Sequence, residues 1–228
     1  MSRLRMNSPQ QNPPKNLQTP AFDRRFRDTL EALLVWRRDV RRFRTDPLAP
    51  ALLHDLLRLA ALSPSVGNAQ PWRFVIVEDA GRRAEIIGNF EAANADALTA
   101  YDGDEAETYA GLKLAGLRDA PVHVAVYCDE ATEMGAGLGR RTMPEMLAYS
   151  VVGAITTLWL AARAHGIGLG WVSILDPVAA DRTLEVPETW RLVGYLCLGY
   201  PVEEHTDPEL ARAGWQARGD VDDFIFKR

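Results

Sequence analysis

Cysteine and histidine are scarce in this chain of 228 residues, with two of the first and four of the second. Cys128 and Cys197 sit in the apolar runs VAVYCDE and YLCLGY, where a thiol behaves as a small hydrophobe, and neither belongs to a Cys-x-x-Cys pair. That pattern excludes a disulfide scaffold. His54, His123, His165 and His205 are scattered without metal-ligand spacing, so no metal site is expected. The first 20 residues, rich in Pro, Gln and Asn, lack the apolar core of a signal peptide. They read as a flexible tail, residues 1–20, ahead of one domain over residues 21–228, and the protein reads as cytoplasmic.

Basic charge is scarce outside one stretch. Residues 1–44 hold 11 basic and 4 acidic side chains, which leaves 15 basic and 27 acidic for the rest of a chain with 26 and 31 in total. The net charge of −5 thus combines a +7 end with a −12 body. An acidic body excludes broad binding to nucleic acid, which needs a basic surface to release counterions, and leaves room for one small phosphate. Long apolar runs are scarce as well. Met146 to Ala162 carries no charge, but it contains Tyr149, Ser150, Gly153, Thr156 and Thr157 and stands alone. It reads as a helix buried on all sides at the centre of a homodimer, and no membrane partner is expected.

What is present alternates helices with strands. Phe26, Leu30, Leu33 and Leu34 fall at helical spacing from Asp23, a plausible cap, to Arg37. A second helix spans about Pro50 to Leu62, and the segment SPSVGNAQPW, with two prolines and a glycine, reads as a fixed loop before the strand RFVIVE. Helical spacing returns over 80–100. YDGDEAETYAG then reads as a surface segment, either a mobile lid or a solvated connector. A short helix around Leu112 to Leu117, strand VHVAVYC, a glycine-rich loop and the apolar helix from about Pro144 to His165 follow. Beyond Gly166 come strand IGLGWVSI, a brief helix from Asp176-Pro177, strand WRLVGYLCLGYP, and a strand-like DDFIFKR at the C-terminus, which a homodimer would exchange with its partner. Strands grouped with long helices on a mixed sheet give an α+β domain.

Chemistry concentrates in WRRDVRRFR, which places Arg37, Arg38, Arg41, Arg42 and Arg44 within eight positions. A helix end followed by an extended stretch lets several guanidinium groups converge on one anion, and the planar arginine fork holds phosphate oxygens bidentately. The plain alternative is a solvated basic face.

The order of RRDVRRF, SPSVGNAQPW, the long apolar helix and GIGLGWVSI resembles the nitroreductase superfamily over residues 23 to 228. The resemblance implies a mixed sheet flanked by helices, an intertwined homodimer and FMN at the subunit interface. It implies that Arg37, Arg38, Asp39, Val40 and Arg41 line the phosphate and ribityl chain, with Arg218 completing the phosphate site. Pro64, Ser65, Asn68 and Gln70 would approach the flavin, the last two from the partner subunit, and Gly170, Trp171 and Ser173 would lie beside its ring.

A narrower resemblance rests on Asp39, where ordinary flavin nitroreductases place a small polar residue, and on Ser173, with YAGLKLAGLRDAP, LGRRTMPEM and LWLAARAHGIGLGWVSI. These are similar to the flavin-fragmenting branch, the 5,6-dimethylbenzimidazole synthases of the BluB family. That branch implies reduced FMN as substrate, O2 as co-substrate, no metal, and a separate flavin reductase as a supplier. Breaking the ribityl chain needs a proton taken from a sugar hydroxyl, so Asp39 is the candidate base and Ser173 a positioning group. The neighbouring arginines are expected to favour the ionised form of Asp39. The readings that remain open are that Asp39 pairs with Arg42 or caps a turn, that Ser173 bonds backbone, and that the chain is an NAD(P)H-dependent FMN nitroreductase, quinone or flavin reductase. Trp72, Trp159 and Trp171 read as core residues, Trp171 being the one that could stack on a ligand.

Overall fold

A computed structural model describes residues 20–111 and 116–228. The expected tail over 1–20 lies outside the described residues save for its last position, and so does most of the short helix expected at 112–117.

Asp23 starts helix α1 (Arg24–Trp36) by accepting the Phe26 N–H at 2.8 Å. Helix α2 (Pro50–Ala60) begins on a proline whose missing N–H costs nothing at that position, and it buries Leu53, Leu56 and Ala60. Strand β1 (Trp72–Ile76) follows, then α3 (Ala80–Leu98), α4 (Gly103–Gly111), α5 (Gly116–Asp119) and β2 (Val122–Asp129). The chain continues through α6 (Met146–Ala164), β3 (Gly168–Val172), α7 (Pro177–Leu184), β4 (Trp190–Gly199) and α8 (Glu209–Arg212).

The strands lie in the order β1-β2-β4-β3, and every ladder is antiparallel. The mixed character expected of the sheet is reduced to one parallel bridge, between Asp39 and Leu169. Both faces of the two central strands are covered because side chains alternate along a strand. Val124, Val126 and Cys128 of β2 with Leu196 and Leu198 of β4 point toward α2 and α6. Ala125, Tyr127, Tyr195 and Cys197 point toward α3 and α7. Truncating a fully buried member such as Leu56 or Ile155 to alanine would cost about 2–5 kcal/mol. Within the second layer, His123 Nδ1 lies 2.9 Å from the Tyr195 hydroxyl, and burial pulls its pKa down to about 4.

Two expectations need correction, and α6 is covered on one face only in a single copy. α6 buries Leu147, Val151, Ala154, Ile155 and Leu158 on one side only, while Tyr149 is 55% exposed and Val152 and Thr156 are open beside it. One copy of the chain has nothing to cover that face. YDGDEAETYAG is not an irregular connector: its Ala and Glu content forms α4, Asp104 and Glu105 sit in the first turn where the helix dipole favours them, and Tyr109 stacks on Tyr101 at 5.0 Å. DDFIFKR pairs with no strand among the described residues. It forms a short 3-10 turn over Val221–Phe224 and leaves Phe224, Ile225 and Phe226 exposed.

Candidate active site

The segment after α1 is extended and lies along the outer edge of β3. Val40 N–H donates to the Leu169 carbonyl at 3.0 Å, and Arg44 N–H to that of Tyr200 at 2.8 Å. Approach this close requires glycine on the facing strand, since a Cβ on Gly170 would lie 2.3 Å from the Val40 carbonyl oxygen. Gly170 is therefore covered by Val40, and its small size lets the next peptide present the Trp171 N–H to Asp39 Oδ1 at 3.0 Å. Side chains alternate along an extended segment, so Asp39 shares a side with Arg41, whose Nε lies 3.4 Å from Asp39 Oδ2. Asp39 does not pair with Arg42.

The five arginines divide into two groups. Arg42 pairs with Glu203 and, at 3.3 Å, with Glu209; Arg44 pairs with Asp46 at 2.7 Å; Arg41 lies 3.9 Å from Glu209. Arg37 and Arg38 pair with no carboxylate among the described residues, nor does Arg218 from the C-terminal tail. Burial first, then the charge of Arg218, lower the pKa of Arg37; burial, Arg37 and Arg218 lower that of Arg38. Cations that destabilise one another in this way suit a multiply charged anion with several acceptor oxygens, which is the character of a phosphate monoester.

Two further contacts fix the cationic end. Arg38 turns back on α1, donating from Nε to the Val35 carbonyl at 2.8 Å and from Nη2 to that of Leu34 at 3.4 Å, where the helix dipole favours a cation. Trp159 of α6 donates its indole N–H to the Arg38 carbonyl at 3.2 Å, and its ring lies 4.8 Å beneath the Arg37 guanidinium. Trp159 thus does more than fill the core. Trp171 is half-buried with its indole against Gly194, whose added Cβ would meet Nε1 at 2.3 Å.

Arg41 favours the ionised form of Asp39, as expected of an arginine neighbour, but burial outweighs it. Although 35% of its side-chain surface is open, burial of the carboxyl group is the largest influence and raises its pKa above the usual 3.8. The Trp171 N–H and Arg41 oppose that rise, and the carboxylate of Glu209 adds to it. Arg41 is shared with Glu209, and Arg38 and Arg42 point elsewhere, so burial prevails. Nothing in the sequence singles out Glu209 from its acidic neighbours Glu203, Glu204 and Asp207.

The remaining sequence-derived positions lie in two other places. Ser173 is exposed, one residue beyond β3. Ser65 Oγ accepts the Gln70 N–H at 3.0 Å and closes the loop before β1, with Pro64 exposed at its start. Asn68 and Gln70 take left-handed backbone angles, φ 55° and 45°, which costs about 1 kcal/mol or more for each non-glycine residue. This loop enters β1, at the opposite edge of the sheet from β3, so four inter-strand spacings, roughly 19 Å, separate it from the arginine arm outside β3. Within one copy the structure does not bring the two groups together. Among the described residues there is no group of three His, Cys, Asp or Glu side chains arranged to hold a metal ion.

Comparison with known proteins identifies the family. The chain is 57% identical over 199 residues to a 5,6-dimethylbenzimidazole synthase of Rhodospirillum rubrum, covering 87% of this chain and 94% of that protein. It is 49% identical over 195 residues to a 5,6-dimethylbenzimidazole synthase of Rhodobacter capsulatus, covering 86% and 94%. Among solved structures it resembles oxidised iodotyrosine deiodinase bound to FMN and 3-iodo-L-tyrosine, with a TM-score of 0.69, 25% identity, and coverage of 87% and 97%. The model of the nitroreductase family matches residues 34–200, from the last turn of α1 through the arginines and the whole sheet, and the chain belongs to that family.

Proposed function

We propose that the chain is a 5,6-dimethylbenzimidazole synthase that breaks reduced FMN apart with O2, releasing the lower ligand of cobalamin and erythrose 4-phosphate. The observation that carries this reading is Asp39, a carboxyl group fixed by the Trp171 N–H on the same extended arm as Arg37 and Arg38, which with Arg218 have no carboxylate partner among the described residues. The identity to synthases across most of the chain supports the same reaction.

Reduced FMN supplies both the ring that becomes the product and the electrons that reduce O2. Arg37, Arg38 and Arg218 bind its phosphate, and the arginine stretch directs the ribityl arm past Val40 and Arg41. Asp39 accepts a proton from a ribityl hydroxyl; its raised pKa makes it a stronger base than an ordinary aspartate once ionised. Gly170 and Trp171 hold the base in place, and exposed Ser173 offers its hydroxyl toward the ring. No metal takes part, and a separate flavin reductase supplies the reduced substrate.

Two copies of the chain complete the site. Asn68 and Gln70 reach the flavin from a second copy, which fits their place at the far edge of their own sheet. The open apolar residues Phe26, Leu30 and Leu34 of α1, Tyr149 and Val152 of α6, and Phe224 to Phe226 of the tail give that copy its contact surface. Light scattering on the purified protein should give twice the chain mass.

Aerobic incubation with chemically reduced FMN, followed by mass spectrometry, tests the reaction. Formation of 5,6-dimethylbenzimidazole is expected. Recovery of oxidised FMN alone would remove the proposal, and rapid NAD(P)H oxidation with retained flavin would establish the reductase in its place.

A further inference from the structure

Glu209 belongs to no motif in the sequence, yet its carboxylate stands within the group that surrounds Asp39. It lies on the four-residue α8 with 21% of its side chain exposed. Its Oε1 accepts from Arg42 Nη1 at 3.3 Å, and its Oε2 is 3.9 Å from Arg41 Nε. The same Arg41 Nε is 3.4 Å from Asp39 Oδ2, and only 12% of the Arg41 side chain is open. One nearly buried guanidinium therefore serves two carboxylates, and neither distance is that of a closed ion pair, which is about 2.7–2.9 Å.

We propose that Glu209 is a positioning residue for Asp39: it draws Arg41 away from Asp39 and so prevents a closed Asp39–Arg41 ion pair. This inference rests on the reading of Asp39 as the base. A closed pair would bind one carboxylate oxygen tightly and stabilise the ionised form, leaving a weaker base with less freedom to meet a sugar hydroxyl. The divided arrangement keeps Oδ2 only loosely engaged while the Trp171 N–H fixes Oδ1. The other groups that face Asp39 do not provide this control. Arg37 feels its charge but stacks on Trp159, and the Cys197 thiol of β4 is buried with its pKa raised, so it stays neutral.

The test is a titration of the ligand-free protein labelled with 13C at aspartate side-chain carboxyls, with the Asp39 signal assigned from Asp39→Asn. In Glu209→Gln the midpoint of Asp39 should fall by roughly one pH unit, a tenfold loss of proton affinity, as Arg41 closes on it. Glu209→Asp, one methylene shorter, should move it in the same direction by less. In an Arg41→Gln background the Glu209→Gln shift should shrink to less than half, because the effect is transmitted through Arg41. An unchanged or raised midpoint in Glu209→Gln overturns the proposal. So does a shift that survives in full without Arg41, which would make Glu209 a direct repelling charge. The titration uses neither flavin nor turnover, so its failure is distinct from failure of the product assay.

Discussion

Arg37 and Arg38 differ from Arg41 and Arg42 in what surrounds them, although all four lie within six residues of one extended arm. The first pair has no carboxylate partner among the described residues and is pushed toward lower pKa by burial and by like charge. The second pair is met by Asp39, Glu203 and Glu209. Arginine count therefore says little about anion binding; charge left without a partner after folding says more. Asp39 stands at the boundary, and substitutions on either side of it should have unlike consequences.

The largest effect is expected at the boundary itself. Asp39→Asn removes the proposed base and should lower formation of the benzimidazole by about 10²- to 10⁴-fold in single-turnover assays, while FMN affinity changes little. Because Asp39 must lose its proton to act, and its pKa is raised, wild-type kcat/KM should fall as pH drops through a midpoint above 3.8. The sign for stability is opposite to that of a salt-bridged aspartate. The folded state holds this proton more tightly than the unfolded state, so ionising it costs stability as pH rises through the folded-state pKa. At neutral pH the Asn variant should therefore melt higher by calorimetry. A lower melting temperature would mean that the carboxylate stabilises the fold, as a structural ion pair does.

Next in size is the unpartnered end. Arg37→Ala removes a charge-assisted contact worth about 1.5–3 kcal/mol, so FMN should bind roughly 10- to 100-fold more weakly in equilibrium dialysis. Riboflavin, which has no phosphate, should bind the variant and the wild type alike. Equal losses for both ligands would place the arginine at the ring and end its assignment to the phosphate. Arg42→Ala should leave FMN affinity within about twofold, because that side chain is already engaged by Glu203 and Glu209.

Much of the scaffold was legible because its signals are local. The Asp23 cap, the Pro50 start and the two-residue alternation along β2 and β4 each depend on a few neighbouring residues. The site was legible in part. Its arginines and Asp39 are adjacent in sequence, whereas Glu209 and Trp159 reach them only through long-range packing that no spacing reveals. The burial that raises the Asp39 pKa was hidden for the same reason: five arginines in eight positions suggest a uniform positive field, but alternation and distant carboxylates divide it. α4 was missed because glycines at both ends and a run of acids look like a connector, while its stability comes from tertiary contact between Tyr101, Tyr109 and distant Trp215.

The smallest effect should appear where the partnered end meets solvent. Arg42 and Glu203 form an ion pair with side chains 38% and 41% exposed, so water and salt screen most of their attraction. A double-mutant cycle with Arg42→Ala and Glu203→Ala, read by urea denaturation, should give a coupling of about 0.2–1 kcal/mol that shrinks as salt is raised. Arg42→Ala alone should cost more than that coupling, since Glu209 also loses the guanidinium at 3.3 Å and is left with Arg41 as its nearer cation. A coupling of several kcal/mol, insensitive to salt, would show instead that this end of the arm is buried in the working assembly. Arg42 would then belong with the residues that build the site, and the contrast between the two pairs of arginines would fail.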